Sequence, residues 1–392
     1  MAIRTRKRIK SDKKLKKTKN LIKKEIDKNQ ISISSDNLLK SIGHNHYTTS
    51  INSVDKNKNI EISFILGILN AERTLRECLE SIFNQDFKKE KYEVIIVDGG
   101  STDKTLPIIK EFMEKYDNIK LFHNPNKLSE GRGMSKDLGT KASKGEIVIF
   151  LDHDNILIGK EWLKEIIEPF NKDKEIMASQ SLLQFMENDT NFLKYVNAVG
   201  VEDPFAIPYS LPAQIVLHPE KFKIIDGKYY IHHLDKNNLV YGGANGCAFR
   251  KSVFDVIGGY TRDVDIFASM AEQRMKVAVP LNPRVYHKTA SNLLNYMIKK
   301  GLYFYRFIDH EYEKKTFKWT QRGSGLKGKI NFFLMIAHNL SFFGPLFIAF
   351  SMFIKTKRLF WLLHPFYLFF ITLEYGLITL FKIRNFFKYQ KK

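Results

Sequence analysis

Two aspartates, Asp152 and Asp154, flank His153 directly after the apolar run IVIFL at 147–151. An extended backbone splays consecutive side chains and returns every second one to the same side, so the two carboxylates are expected to face one way. Hard oxygen ligands of this kind suit Mg2+ or Mn2+, ions that keep waters and bridge to substrate phosphates. Such an ion would neutralise the charge developing on a departing diphosphate. An Asp-x-Asp triplet alone is weak evidence, since chance copies are common; its place after an apolar strand strengthens it. Asp98 ends the run VIIV and precedes two glycines. From there it could accept hydrogen bonds from a base N–H or from ribose hydroxyls, or simply cap the turn.

The elements that must hold these acids alternate. ISFILGIL reads as a strand buried on both faces. Leu75, Leu79, Ile82 and Phe83 then share one helical face, and YEVIIVDGG returns to strand character. DKTLPIIKEFMEKY reads as a helix with Pro107 in its early turns, IKLFH as a strand, SEGRGMSKDLGTKAS as a helix and EIVIFLDHD as a further strand. This alternation predicts an α/β domain, a mostly parallel sheet with helices on both faces. Ligands of such sheets sit beyond the carboxyl ends of the strands. The polar clusters at 70–72, 98–103 and 152–155 fall at such ends.

From 176 to 240 the pattern is irregular, with prolines at 204, 208 and 212 and with His218, His232 and His233; no compact element is assigned there. A second ordered block, LVYGGANGCAFRKSVFDVIGGYTRDVDI, brings small residues, an apolar helix face and another acid pair, and VAVPLNPRVYHK reads as a final strand with its exit loop.

A formal net charge of +21 points to an anionic partner, whether nucleic acid, acidic membrane surface or phosphorylated substrate. The two cysteines, Cys78 and Cys247, are too few for a disulfide framework or a zinc site. Residues 1–58 are rich in Lys, Ser, Asn and Asp and are expected to form a basic disordered tail, with a polybasic tether to anionic lipid as the sharper alternative. No apolar h-region follows the basic start, which leads us to expect the catalytic part in the cytoplasm.

Beyond His287 the chain turns aromatic and basic. Residues 291–328 are read as an amphipathic interface segment or a helix packed on the domain. The apolar stretches 330–354 and 359–381 each reach the ~20 residues that cross a bilayer. A hairpin of two transmembrane helices over 329–383 is therefore expected, with re-entrant or interfacial helices and a buried soluble helical pair as the alternatives that the interruptions at Asn331, His338, Asn339, His364, Glu374, Pro345 and Pro365 leave open. Basic residues outside both stretches, including those of the 384–392 tail, place its two ends on the cytoplasmic side.

The segments ISFILGILNAERTLRECLESIFNQ, VIIVDGGSTDKT and GRGMSKDLGTKASKGEIVIFLDHDN, in this order and spacing, resemble the family 2 glycosyltransferases of the GT-A fold. The resemblance runs from about residue 60 to residue 280. It implies a catalytic domain at 59–290, with a donor half at 59–158 and an acceptor half at 159–290. It also implies donor contacts by Asn70, Glu72, Asp98 and Asp152, a metal site at Asp152 and Asp154, and inversion at the anomeric carbon. The donor would be a UDP- or GDP-linked sugar. The family places a base acid near the helix after its Gly-Gly-aromatic turn, where Asp263 and Asp265 stand here, Asp263 being favoured. The usual Glu-Asp dipeptide is absent. His287 matches a histidine that in related enzymes often follows the last core strand and reaches metal or diphosphate. The first loop reads GILNAE where many relatives have Pro-Thr-Tyr-Asn, and Gly99 replaces a frequent second acid.

Gln321-Arg322 precedes Gly and not the Gln-x-x-Arg-Trp signature of processive synthases. Transfer of one sugar is therefore favoured over processive polysaccharide synthesis. The apolar C-terminal stretches suggest a membrane-linked acceptor, a polyprenyl phosphate or a lipid-linked or cell-surface glycan. Three rival readings fit the residues less well. A basic nucleic-acid- or membrane-binding protein without activity leaves the acid pairs unexplained, so no nucleic-acid partner is expected. A nucleotidyltransferase lacks its Gly-rich basic loop here, and a dead scaffold is at odds with the intact Asp-x-Asp.

Overall fold

The computed structural model describes residues 59–124, 134–237, 239–243, 245–289, 292–310 and 326–390. The expected tail at 1–58, Gln321-Arg322 and the start of the GRGMSKD segment lie outside them.

β1 (Ile62–Ile68) and β2 (Tyr92–Asp98) are buried along their whole lengths, as an apolar run covered on both faces must be. They pair in parallel from Ile62 beside Tyr92 to Ile68 beside Asp98. Parallel neighbours need crossovers, and α1 (Leu75–Phe83), with Leu75, Cys78, Leu79, Ile82 and Phe83 buried, supplies the first. α2 (Thr105–Lys115) carries Pro107 in its first turn and leads to β3 (Ile119–His123). α3 (Ser135–Ala142) leads to β4 (Ile147–Phe150), which pairs in parallel with β1. Close contact holds α3 to the sheet: a Cβ on Gly139 would stand 2.6 Å from Ile65 Cγ2.

The irregular middle is ordered after all. β5 (Asn155–Ile158), α4 (Trp162–Lys172), β6 (Ile176–Gln180), β7 (Leu182–Leu183), α5 (Asn191–Val199), a 3-10 turn at Pro204–Tyr209, α6 (Leu211–Leu217), β8 (Lys223–Ile225) and β9 (Tyr229–His233) follow in turn. β10 (Cys247–Arg250), α7 (Ser252–Ile257), α8 (Asp263–Glu272), β11 (Lys276–Pro280) and β12 (Arg284–His287) complete the domain. The main sheet runs β3-β2-β1-β4-β10-β6-β11-β9-β8, and β10 enters antiparallel to both β4 and β6. The sheet is parallel in its first half and mixed in its second, with helices on both faces, the α/β class expected.

Alternate residues of the central strands serve two cores. Phe64, Leu66 and Ile149 join α1, α2 and α4 on one face, while Ile65, Val148 and Phe150 join α6, α7 and α8 on the other. The segment read as one final strand is two strands in different sheets. Pro280 and Pro283 supply no N–H to a ladder, and β12 leaves the main sheet to lie between β5 and β7.

α9 (Leu293–His310) follows the domain, then α10 (Leu326–Ser341), α11 (Phe343–Thr356), a 3-10 turn at Leu359–Leu363 and α12 (His364–Gln390). The first apolar stretch is not one helix. α10 and α11 meet at an angle of 69°, at Phe342, whose φ is +65°. The stretch 359–382 is a helix long and apolar enough to cross a membrane.

Candidate active site

The carboxyl ends of β1, β2 and β4 lie side by side because the three strands are parallel neighbours. At the end of β2, Asp98 turns the chain. Its carboxylate accepts from Gly100 N at 2.8 Å, from Ser101 N and from the Ser101 hydroxyl at 2.5 Å. Asn70, at φ +51°, receives Thr102 N on Oδ1 at 2.9 Å, and Glu72 receives Lys104 N at 3.0 Å. In return Asn70 N and Glu72 N donate to Ser101 Oγ and Asp103 Oδ2. Asn70 and Glu72 therefore lace the loop after β1 to the loop after β2, while Asp98, 4% exposed, ties the β2 loop to its own strand end.

Asp152 and Asp154 do not lie on a straight strand, as extended alternation suggested. β4 ends at Phe150, and Asn155 N donates to Asp152 O at 3.0 Å, closing a turn into β5. The turn is pinned to the start of α1 by Thr74 Oγ1 and His153 Nδ1, 2.8 Å apart. The two acids consequently meet different partners.

Asp152 meets Lys136, on the first turn of α3. The Lys136 side chain is 1% exposed, and its Nζ lies 3.1 Å from Asp152 Oδ1 and 3.9 Å from Asp263 Oδ1. A buried ammonium is costly unless paired, and here carboxylates from two parts of the chain flank it. Asp263 starts α8 and also accepts from the Tyr260 hydroxyl. The approach to α8 is set by Gly258 and Gly259, at φ +81° and +101°, which L side chains rarely adopt. Asp137 fastens this turn by accepting from Tyr260 N at 3.0 Å. Adjacent residues of α3 thus hold both the α8 turn and the acid pair. Asp265, by contrast, is 5% exposed and buried.

Asp154 meets His287. The antiparallel register of β12 on β5 sets His287 opposite Asn155, and His287 Nε2 lies 3.4 Å from Asp154 Oδ2. Burial pushes the Asp154 carboxyl up, but His287 more than offsets this and leaves it below the usual range. Burial disfavours the His287 cation, yet Asp154, then Glu202 and Asp152, raise it above its ordinary value. Glu202 extends the line. It accepts from Thr289 Oγ1 at 2.6 Å and pairs with Lys299 at 3.1 Å and with Lys300, both on α9. Against burial, Lys300, His287 and Lys299 hold its carboxyl well below the usual range. Asn197 of α5 clasps His287 through both backbone groups, each at 3.1 Å.

Among the described residues, no three His, Cys, Asp or Glu side chains form a ready metal cage. The donor set nevertheless fits Mg2+ or Mn2+, which take carboxylate oxygens and leave positions for water and phosphate. His287 Nδ1 is buried without a partner among the described residues, while Nε2 faces Asp154. Lys136 and Glu202 were missed from sequence. Lys136 sits inside a quoted motif, but a lysine on an apolar-poor helix reads as solvated. Glu202-Asp203 is an acid dipeptide in an otherwise aromatic stretch, a signal that was available.

The glycosyl transferase family 2 model matches residues 63–258, half of the chain, and the chain belongs to this family. The match contains every candidate named above except Asp263, Asp265 and His287. Among curated proteins, a poly(ribitol-phosphate) beta-glucosyltransferase of Bacillus spizizenii is 38% identical over 142 residues, 36% of this chain and 20% of that protein. A dolichyl N-acetyl-alpha-D-glucosaminyl phosphate 3-beta-D-2,3-diacetamido-2,3-dideoxy-beta-D-glucuronosyltransferase of Methanococcus voltae is 38% identical over 117 residues, 29% of this chain and 35% of that one. The matched stretches thus span about a fifth and a third of these relatives. Among solved structures, the mannosyltransferase PcManGT from Pyrobaculum calidifontis, in complex with GDP-Man and Mn2+, is 14% identical, with a TM-score of 0.49 over 83% of this chain and 88% of that one.

Proposed function

We propose that the chain is a metal-dependent, inverting glycosyltransferase that moves one sugar from a UDP- or GDP-linked donor to a membrane-linked acceptor, with the catalytic domain on the cytoplasmic face. Asn70, Glu72, Asp98 and Asp152 line the donor side. Asp152, Asp154 and His287 would hold Mg2+ or Mn2+, which when bound neutralises the departing diphosphate. Asp263 is the base: an acceptor hydroxyl gives its proton to this carboxylate as its oxygen bonds to the anomeric carbon, and the bond from that carbon to the diphosphate oxygen breaks. Asp265, 5% exposed in the first turn of α8, is given no step in the transfer.

The observation that carries this reading is the shared ammonium. Lys136 lies within ion-pair distance of both Asp152 and Asp263, so a donor-side acid and an acceptor-side acid stand no farther apart than two ion-pair lengths. Proximity of this kind lowers the entropic part of the barrier for joining two substrates.

The acceptor class follows from whether a base is needed. A polyprenyl phosphate is already anionic near neutral pH, whereas a lipid-linked glycan offers a hydroxyl that must lose a proton. The test is a panel of UDP-, GDP- and dTDP-sugars with Mn2+ or Mg2+, reading nucleoside diphosphate release with each acceptor. Release with one nucleotide sugar and one membrane-linked acceptor is expected. Pyrophosphate release, or a shift with DNA or RNA and none with any nucleotide sugar, would contradict it.

A further inference from the structure

The membrane attachment just proposed leaves open how the helices after the domain meet lipid, and their packing decides it. Phe360, Trp361, Tyr367, Leu368, Ile371 and Tyr375 are buried in one cluster with Phe192, Tyr195, Val196 and Val199 of α5. Polar contacts fix the same seam, with the Tyr195 hydroxyl 2.6 Å from His364 Nδ1 and the Tyr375 hydroxyl 2.5 Å from Asp203 Oδ2. α5 in turn holds His287 through Asn197. The stretch 359–375 is therefore part of the wall of the catalytic domain, and a polar domain does not enter hydrocarbon.

The lengths that remain are short. Beyond Tyr375, residues 376–381 give ~9 Å of apolar helix before Lys382, against ~30 Å of hydrocarbon. α10 has 16 residues and α11 has 14, and they stand 69° apart. At 1.5 Å per residue each falls short of that thickness. α11 also buries Pro345, Ala349 and Met352. The outward side is nonetheless strongly apolar: Phe333, Phe343, Phe347 and Leu380 are between 65% and 81% exposed. Faces of this extent on a soluble surface mark a partner.

Charge identifies the partner. Residues 326–382 hold six Lys or Arg and a single acid, Glu374. Lys329, Lys355 and Lys357 are exposed, while Arg358 beside them is paired with Glu187. Apolar side chains ringed by cations match a bilayer surface carrying anionic headgroups. On α9, Leu294, Ile298 and Leu302 are also exposed, while Lys299 and Lys300 of the same helix pair with Glu202 beside His287.

We propose that α9 to α12 form a monotopic face that sinks into one leaflet of an anionic membrane without crossing it, so that the linker between α11 and α12 stays on the side of the active site. This rests on the membrane attachment above and specifies its geometry. The native cysteines are both buried, so single cysteines can report topology. Lys110→Cys, on the exposed side of α2, and Lys355→Cys, at the end of α11, would be placed in the full chain, expressed, and labelled with a membrane-impermeant maleimide in sealed inside-out vesicles. Equal labelling of the two before detergent is expected. Protection of Lys355→Cys until detergent is added, with Lys110→Cys labelled, would establish a spanning hairpin and overturn the one-leaflet placement alone. In parallel, the purified chain should float with phosphatidylcholine vesicles containing phosphatidylglycerol at least tenfold better than with phosphatidylcholine alone. Phe333→Glu with Phe347→Glu, both at exposed positions, should remove that difference. Failure of the native chain to float would overturn membrane attachment itself and assign the face to a second copy or another protein.

Discussion

Asp152 and Asp154, two residues apart, pair with different parts of the molecule. Asp152 is 38% exposed and leans on one buried ammonium that it shares with Asp263. Asp154 is 20% exposed and begins a line of alternating charge through His287 and Glu202 to Lys299 and Lys300. The first arrangement joins the proposed donor side to the proposed acceptor side within the domain. The second joins the acid pair to α9, the first helix of the face proposed to meet lipid. A turn in place of a strand is what allows this, since it aims neighbouring acids at different partners.

The comparison can be broken most severely at the end of the Asp152 branch. Asp263→Asn should lower kcat by ~100-fold to 10,000-fold with a hydroxyl acceptor and far less with a phosphate acceptor, at nearly unchanged donor KM. Equal loss with both acceptors would show Asp263 to be structural. Lys136→Met comes next, at ~10- to 100-fold in kcat/KM. Because the lysine acts through Asp152, its effect should be strongly non-additive with Asp152→Asn; simple additivity would uncouple the two.

On the Asp154 branch the expected loss is of stability. Glu202→Gln leaves Lys299 and Lys300 without the carboxylate they share, a cost of about 2 kcal/mol for partly buried pairs, read from urea unfolding. A change in kcat alone, with the urea midpoint unmoved, would place Glu202 in the chemistry. Smallest of all, Arg358→Ala removes a bidentate but exposed pair with Glu187, and should shift unfolding by no more than about 0.5 kcal/mol.

The first half of the sheet was legible because period and burial agree there. β1 and β2 are mostly apolar and buried throughout, and the α-helix between them carries one apolar face. The stretch 176–240 was not legible, since its elements are short and several are antiparallel or lie outside the main sheet, so no long period survives. Asp98, Asn70 and Glu72 stand out by their positions at strand ends, but sequence could not reveal that Asn70 and Glu72 lace two loops together through backbone N–H groups while Asp98 closes its own loop. Asp263 is favoured over Asp265 by motif alignment, and sequence could not show that Asp265 is the more buried of the two. Lys136 was missed because burial of a lysine is decided by partners distant in sequence, Asp152 and Asp263. The break at Phe342 was hidden by composition, as an apolar stretch reads alike whether straight or bent.

A calorimetric titration of the preferred nucleoside diphosphate into the native chain, with Mn2+ and again with EDTA, bears on the acid pair without invoking turnover. Binding that needs Mn2+, and that weakens at least tenfold in Asp152→Ala and in Asp154→Ala, is expected. The same Kd in EDTA, or in both variants, would show that the two acids hold no metal for the donor.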